Sequence, residues 1–299
     1  MSAASQSSPP LAPAYEIGIP AEDLRSLVVR ALAEDLGRGD FTSQLTIPEN
    51  LRARGKLTAK QELVVAGLPV AQEVFRALHS EIEFQPLVAE GVAVASRTPL
   101  AQVTGSAVTL LAGERVALNF LQRLCGIATL TRRYQEQLAG LSVQLLDTRK
   151  TTPGLRALDK YAVRMGGGTN HRLRLDDGIL IKNNHLALGG GIRAAVERAR
   201  AGRPVLSIDL PIEVEVRSLA ELHEAIAAGA EAVLLDNMSP DEVRACVIAA
   251  AGCVRLEVSG GVNLQNLRSY AETGVDCISV GALTHSAPAA DINFLIQPL

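Results

Sequence analysis

From Gly140 to Val280 the chain repeats one unit: a short apolar run, a polar end, a helical stretch, a glycine and another apolar run. The runs are VQLLD (Val143–Asp147), GILIK (Gly178–Lys182), IEVEV (Ile212–Val216), AVLLD (Ala232–Asp236), VRLEV (Val254–Val258) and CISV (Cys277–Val280). The last four recur about every 21 or 22 residues, close to the shortest βα unit that can return a parallel strand. Helices between every pair of strands leave two architectures, an open doubly wound sheet or a closed barrel. Only six units fit here, and an eight-fold barrel needs roughly 200 residues or more. The pattern therefore predicts an α/β fold built on an incomplete, atypical α/β barrel, with the open sheet as the alternative.

The first third has a different rhythm. Leu24, Leu27, Val28, Ala31 and Leu32 recur at helical spacing from Ala21 to Leu36, and Glu22 and Asp23 suit a helix N-terminus. PVAQEVFRALHS reads as a helix, whereas EIEFQPLVAEG and LAQVTGSAVTLLAG read as strands bounded by Gly and Pro. GERVALNFLQRLCGIATLTRRYQEQLAG reads as two helices broken near Gly126, with Val116, Phe120, Leu121 and Leu124 as an apolar stripe. The residues predict a disordered tail over 1–14 and a small α+β domain that ends between Gly113 and Gly126, followed by the βα array.

Composition removes several function classes. A formal charge of −3 and 3% aromatic residues offer neither a basic field nor a stacking platform, so no nucleic-acid partner is expected. The opening MSAASQSSPPLAPA has no charged start and no apolar run, which predicts neither signal peptide nor membrane segment and a cytoplasmic location. Cys125, Cys246, Cys253 and Cys277 lack metal-ligand spacing and read as reduced core thiols.

Against that balance, Asp147–His185 holds eight Lys or Arg and four Asp or Glu. A charge run is usually a solvated face, but TRKTTPG, GGGTNHR and LIKNNH are short Gly- or Pro-bounded clusters that follow strands. In parallel βα folds the site lies beyond the carboxyl ends of the strands. Those ends carry Arg149 and Lys150, Lys182, Glu215, Asp236, Ser259-Gly260-Gly261 and Gly281. The last two groups can turn backbone N–H groups toward a phosphate, in the units where barrel enzymes commonly bind one. Arg149 and Arg172 can each present a fork to a carboxylate, with Lys150, Lys182 and His171 as point charges, so a dicarboxylate fits. Glu215 and Asp236 either face a developing positive charge or pair with Lys182 or Lys150. Gly166–Asn170 reads as a flexible connector, His223 as surface, His185 as a loop cap, and Arg115 as an exposed first-turn charge.

Together DTRKTTPGLRALDKYAVRMGGGTNHR, LIKNNH, IEVEV, LLDNM, SGGVN and VGALTH resemble the quinolinate phosphoribosyltransferase family, and the likeness runs from EDLGRGDFTS to VGALTH. The resemblance implies an N-terminal α+β open sandwich over 15–125, a six- or seven-stranded barrel over 126–284, a C-terminal segment, 285–299, that returns toward the N-terminal domain, and a homodimer, or larger assembly, in which each barrel mouth is completed by the partner. It implies decarboxylating transfer of phosphoribose from phosphoribosyl diphosphate to quinolinate with Mg2+. By motif, Arg149, Lys150, His171 and Arg172 would hold quinolinate, and Arg115 would reach in from the other subunit. Lys182 would lie near the diphosphate or ribose, and Glu215 and Asp236 beside the ribose, where they could also hold the metal. The 5-phosphate would rest on Ser259–Gly261 and Gly281, and catalysis would fall to Lys150, Lys182, Glu215 and Asp236. Asn183 stands where relatives often have an acid, so a metal or lysine contact expected of that side chain is not carried over. Two rival activities share these residues: a Schiff-base lyase using Lys182, and a non-enzymatic regulator that binds phosphorylated metabolites.

Overall fold

The computed structural model describes residues 18–207 and 209–299; the tail expected over 1–14 lies outside them. The chain forms two compact units, one running to Gly126 and taking in Ala289–Leu299, the other Ile127–Pro288.

In the first unit an antiparallel sheet is built from β1 (Arg52–Ala59), β3 (Glu83–Pro86) and β5 (Pro99–Ser106), with β2 (Leu63–Val64) and β4 (Ala93–Val94) paired separately. Burial alternates along β1, so that Ala53, Leu57 and Ala59 face the core while Arg52, Arg54 and Lys56 face outward. Helix Ala21–Leu36 has the predicted bounds and buries Leu24, Val28 and Leu32, the i, i+4, i+8 stripe of one helix face. Helix Leu68–Leu78 packs against it through a face that includes Val70, Val74 and Phe75.

Where two helices were expected there is one, Ala107–Gln137. It also absorbs AVTLLAG, which the strand reading had claimed. A mid-helix Gly costs about 1 kcal/mol relative to Ala. Leu121, Leu124, Cys125, Ile127 and Ala128 on both sides of Gly126 are all buried, and that packing outweighs the cost. Arg115 is therefore not in a first turn, although it is exposed.

In the second unit six parallel strands, β6 (Gln144–Leu146), β7 (Ile179–Ile181), β8 (Ile212–Val216), β9 (Ala232–Asp236), β10 (Arg255–Ser259) and β11 (Cys277–Ser279), lie in the order β6-β11-β10-β9-β8-β7. The first strand pairs with the last, which is the order of a ring and not of a doubly wound sheet. Among the described residues the ring lacks one seam, between β6 and β7. There the chain at Thr169 adds a single parallel bridge to Leu146, with Thr169 N–H donating to Leu145 C=O at 2.9 Å. The barrel is thus incomplete, as predicted. The last strand of the chain, β12 (Ile292–Pro298), belongs to the first unit and pairs antiparallel with β1. Gly55 faces Phe294 across that pair, and a Cβ there would strike the ring.

Two further expectations need correction. The GGGTN segment is clamped and not flexible: a Cβ on Gly166 would lie 2.5 Å from Ala128 O and from Thr131 Cβ, and Arg132 Nε donates to Gly166 C=O at 3.1 Å. The sequence motif shows the glycines but not the helix that presses on them. Of the four free cysteines, Cys125, Cys246 and Cys277 are buried, and burial pushes the Cys125 thiol up to about 12. Cys253 is exposed, because it lies in the turn after helix Pro240–Ala250.

Candidate active site

The strand ends converge. A cavity of about 290 Å³ is lined by Arg149, Lys150, His171, Arg172, Lys182, Glu215, Asp236 and Ser259–Gly261, together with Thr148, Asn237, Glu257 and Ser279. Ten of the predicted site residues thus share one wall, and two do not. Gly281 lies behind it, where a Cβ would stand 3.0 Å from Lys150 Cδ. Arg115 belongs to the other unit and is not among the lining residues.

The basic half is held by its own loops. Arg156 clips two of them: Nε donates to Thr151 Oγ1 at 3.0 Å, one terminal nitrogen to Leu173 C=O at 3.3 Å and the other to Arg149 C=O at 3.4 Å. Thr284 Oγ1 donates to Lys150 C=O at 2.9 Å. Arg172 donates to Gly178 C=O at 2.9 Å. Its guanidinium is pushed below its ordinary pKa by burial and by the like charge of Arg149, with Glu213 and Asp177 opposing. Arg149 Nε is buried with no hydrogen-bond partner. A buried guanidinium N–H without an acceptor, beside a second guanidinium, favours an anionic ligand.

Behind this half sits a buried ion pair that the sequence reading missed. Lys160 donates to Asp147 and, at 2.9 Å, to His171 C=O, while Asp147 also accepts from Asn170 Nδ2 at 2.6 Å and from His171 N–H at 2.8 Å. Burial pulls both groups toward neutrality, Asp147 up and Lys160 down, and their mutual attraction opposes it.

On the acidic half, Glu215 is buried with Oε2 3.8 Å from Lys182 Nζ, and its Oε1 accepts from Asn183 N–H at 3.4 Å. Asp236 pairs with Arg217 Nε at 3.4 Å instead of with either lysine. Arg217 follows β8 directly, a position whose reach across to β9 could not be read before the strands were ordered. Lys182 N–H donates to His185 Nδ1 at 2.9 Å, so His185 caps the short helix after Lys182. His223 is exposed on helix Leu219–Ala228. Gly260 has φ +95° and Gly261 φ +65°, and a Cβ on Gly260 would collide with Asn237 Oδ1. Asn237 itself has φ 57°, a left-handed conformation at the cavity wall that Asn tolerates better than most residues.

Two arrangements could be considered for a metal. Glu215 and Asp236 present carboxylate oxygens to the same cavity, a donor set suited to a hard divalent cation shared with phosphates. His171, Glu213 and Glu257 place three ligand atoms within 4.8 Å of one another. There, however, Arg172 N–H donates to His171 Nδ1 at 2.7 Å, which puts the ring proton on Nε2, facing the carboxylates. Burial disfavours charging this ring, and the two glutamates oppose that effect. With Nδ1 accepting the Arg172 N–H, the ring keeps its proton on Nε2 and offers no lone pair there to a metal.

No helix among the described residues is long and apolar enough to cross a membrane. Known proteins carry the same two-part sequence. Residues 40–125 match the family described as quinolinate phosphoribosyl transferase, N-terminal domain, and residues 127–295 the corresponding C-terminal domain. A probable nicotinate-nucleotide pyrophosphorylase [carboxylating] of Synechocystis is 45% identical over 268 residues, covering 89% of this chain and 90% of that protein. A Bacillus subtilis protein of the same description is 43% identical, covering 90% and 92%. Among solved structures, the nicotinate-nucleotide pyrophosphorylase from Francisella tularensis superposes with TM-score 0.87 at 38% identity, covering 95% of this chain and 99% of that one. NadC from Streptococcus pyogenes gives 0.89 at 38%, covering 94% and 99%. The chain belongs to the quinolinate phosphoribosyltransferase family.

Proposed function

We propose that this protein is a pentosyltransferase that joins quinolinate to the phosphoribosyl group of phosphoribosyl diphosphate, giving nicotinate mononucleotide, diphosphate and CO2 for NAD biosynthesis. The observation that carries this reading is the division of one cavity. Arg149, Lys150 and Arg172 lie on one side, with His171 beside them, and Glu215, Asp236 and Ser259–Gly261 on the other. A flat dicarboxylate suits the first side and a phosphorylated sugar the second.

The quinolinate nitrogen attacks C1 of the ribose as the bond from C1 to the diphosphate oxygen breaks. Positive charge gathers on the sugar in between, and the carboxylates of Glu215 and Asp236 stabilise it directly or through the ribose hydroxyls. Lys182, next to Glu215, faces the departing diphosphate, and the Ser259–Gly261 turn takes the 5-phosphate. Mg2+, held by Glu215 or Asp236 together with the diphosphate, would supply charge neutralisation of the leaving group. The alkylated ring nitrogen is cationic and accepts the electron pair left when the 2-carboxylate departs as CO2; the ring carbon then takes a proton. The chain's main work is to hold dicarboxylate and sugar in register.

Two further assignments accompany this one. The enzyme works in the cytosol, and it works as a homodimer in which Arg115 completes the partner's site. Exposure of Arg115 supports the dimer. So does an apolar groove of about 500 Å³ beside β7, lined in part by Leu175 and Leu206, with Leu188 and Val205 also exposed. Incubation with quinolinate, phosphoribosyl diphosphate and Mg2+ should yield diphosphate, CO2 and mononucleotide in equal amounts. Folded protein that forms none of them refutes the reading, and a borohydride-trapped adduct on Lys182 would favour the lyase instead.

A further inference from the structure

Glu213 on β8 and Glu257 on β10 take no part in the transfer chemistry, yet both are buried and both direct Oε2 at His171 Nε2, at 3.4 and 3.3 Å. Glu213 Oε1 and both oxygens of Glu257 are buried without a conventional hydrogen bond. Keeping two acids in this state costs stability, and the imidazole is the partner they share. A second cavity, of about 170 Å³, meets the first at His171, Arg172 and Leu180 and is lined by Glu213, so the ring stands between two hollows instead of inside a filled core. Packing alone therefore does not hold it.

The other side of the ring shows what the acids secure. Nδ1 accepts the Arg172 backbone N–H at 2.7 Å, Asp147 accepts the His171 N–H, and Lys160 donates to the His171 C=O. His171 is thus fixed through Nδ1 and both backbone polar groups, with Nε2 facing the two acids at 3.4 and 3.3 Å, and Arg172 follows it directly. Arg172 needs such an anchor, because its guanidinium must stay beside that of Arg149 against like-charge repulsion.

We propose that Glu213 and Glu257 are positioning residues for the dicarboxylate half of the site. They act through His171, whose Nδ1 holds the Arg172 backbone N–H. This rests on the quinolinate reading.

The test is a double-mutant cycle. Glu257→Met removes the acceptor at similar volume; Glu257→Gln keeps one. Glu257→Met should raise KM for quinolinate about tenfold, the scale of one charged hydrogen bond, and leave KM for phosphoribosyl diphosphate within about twofold. Glu257→Gln should recover most of the loss. In a His171→Phe background, Glu257→Met should add no more than about twofold, since the route it acts through is already cut. Circular dichroism checks folding, and Glu213→Met with Glu213→Gln replaces the pair if Glu257→Met fails it. Equal rises for both substrates, additive effects in the double variant, or an unchanged quinolinate KM would overturn the proposal. Calorimetric titration of the unaltered protein with quinolinate separates the two levels. No binding there removes the functional reading and this proposal together, whereas normal binding with an additive cycle removes only the proposal.

Discussion

Lys160→Met tests the reasoning about the buried pair most directly. Lys160 and Asp147 are 1% and 0% exposed. Removing the ammonium leaves Asp147 with only the Asn170 amide and the His171 N–H as donors, and strips the His171 carbonyl of its side-chain donor. Breaking a buried pair from one side typically costs about 3–5 kcal/mol. For a unit of this size each kcal/mol lowers Tm by about 2–4 °C, so the transition of the second unit should fall by about 6–20 °C in differential scanning calorimetry. Asp147→Asn combined with Lys160→Met removes both charges and should be more stable than Lys160→Met alone. The pH response has a definite sign. Burial already raises the Asp147 carboxyl above its usual 3.8, and loss of the lysine removes the main opposing charge. The folded form then binds that proton more tightly than the unfolded one. Stability of Lys160→Met relative to the unaltered protein should therefore improve as pH falls from neutral through the folded-state pKa. A Tm within 2 °C of the unaltered protein, on the scale just cited, or a double variant weaker than the single one, would refute the argument.

Three other outcomes are expected. Arg149→Ala or Arg172→Ala should weaken quinolinate binding by at least about 1.5 kcal/mol, measured by calorimetric titration; unchanged affinity removes that arginine from the site. Arg115→Ala and Lys182→Ala should each be inactive alone, and their mixture should regain activity through hybrid dimers. A dead mixture with subunit exchange confirmed argues against shared sites. Gly166→Ala should lower stability by about 1–3 kcal/mol, because the new methyl has to displace the Ala128 carbonyl and Thr131; a denaturant melt indistinguishable from that of the unaltered protein contradicts the clamp.

Much of the barrel could be read before it was seen, for a physical reason. Ile212–Val216 and Ala232–Asp236 have the predicted bounds, because turn-forming Pro211 and Gly229 precede them and the helix N-caps Ser218 and Ser239 follow. The cavity wall was legible as well, since parallel strands deliver all their carboxyl ends to one face. What lay within the strands was not. Reading only strand ends passed over Glu213 and Glu257, although Glu213 and Glu215 are two apart in β8, so their side chains share a side. An alternating acid in a wholly buried strand was the available signal. The single helix through Gly126, the clamp on Gly166 and the Arg217–Asp236 pair depend on neighbours distant in sequence, and no local pattern encodes them.

The missing seam between β6 and β7 has a mechanical consequence. Arg149 and Lys150 follow β6, and Arg172 and Lys182 flank β7, so the groups proposed for the dicarboxylate stand on the two lips of a split ring. The acids and glycines proposed for the sugar project from β8 to β10, where continuous ladders make the wall stiff. A change in the spacing of the lips breaks no run of ladder hydrogen bonds, only the bridge at Thr169 and the side-chain ties around Arg156 and His171. The dicarboxylate half is thus joined across the seam only by the Thr169 bridge and by side-chain ties, whereas the phosphoribose half rests on continuous ladders.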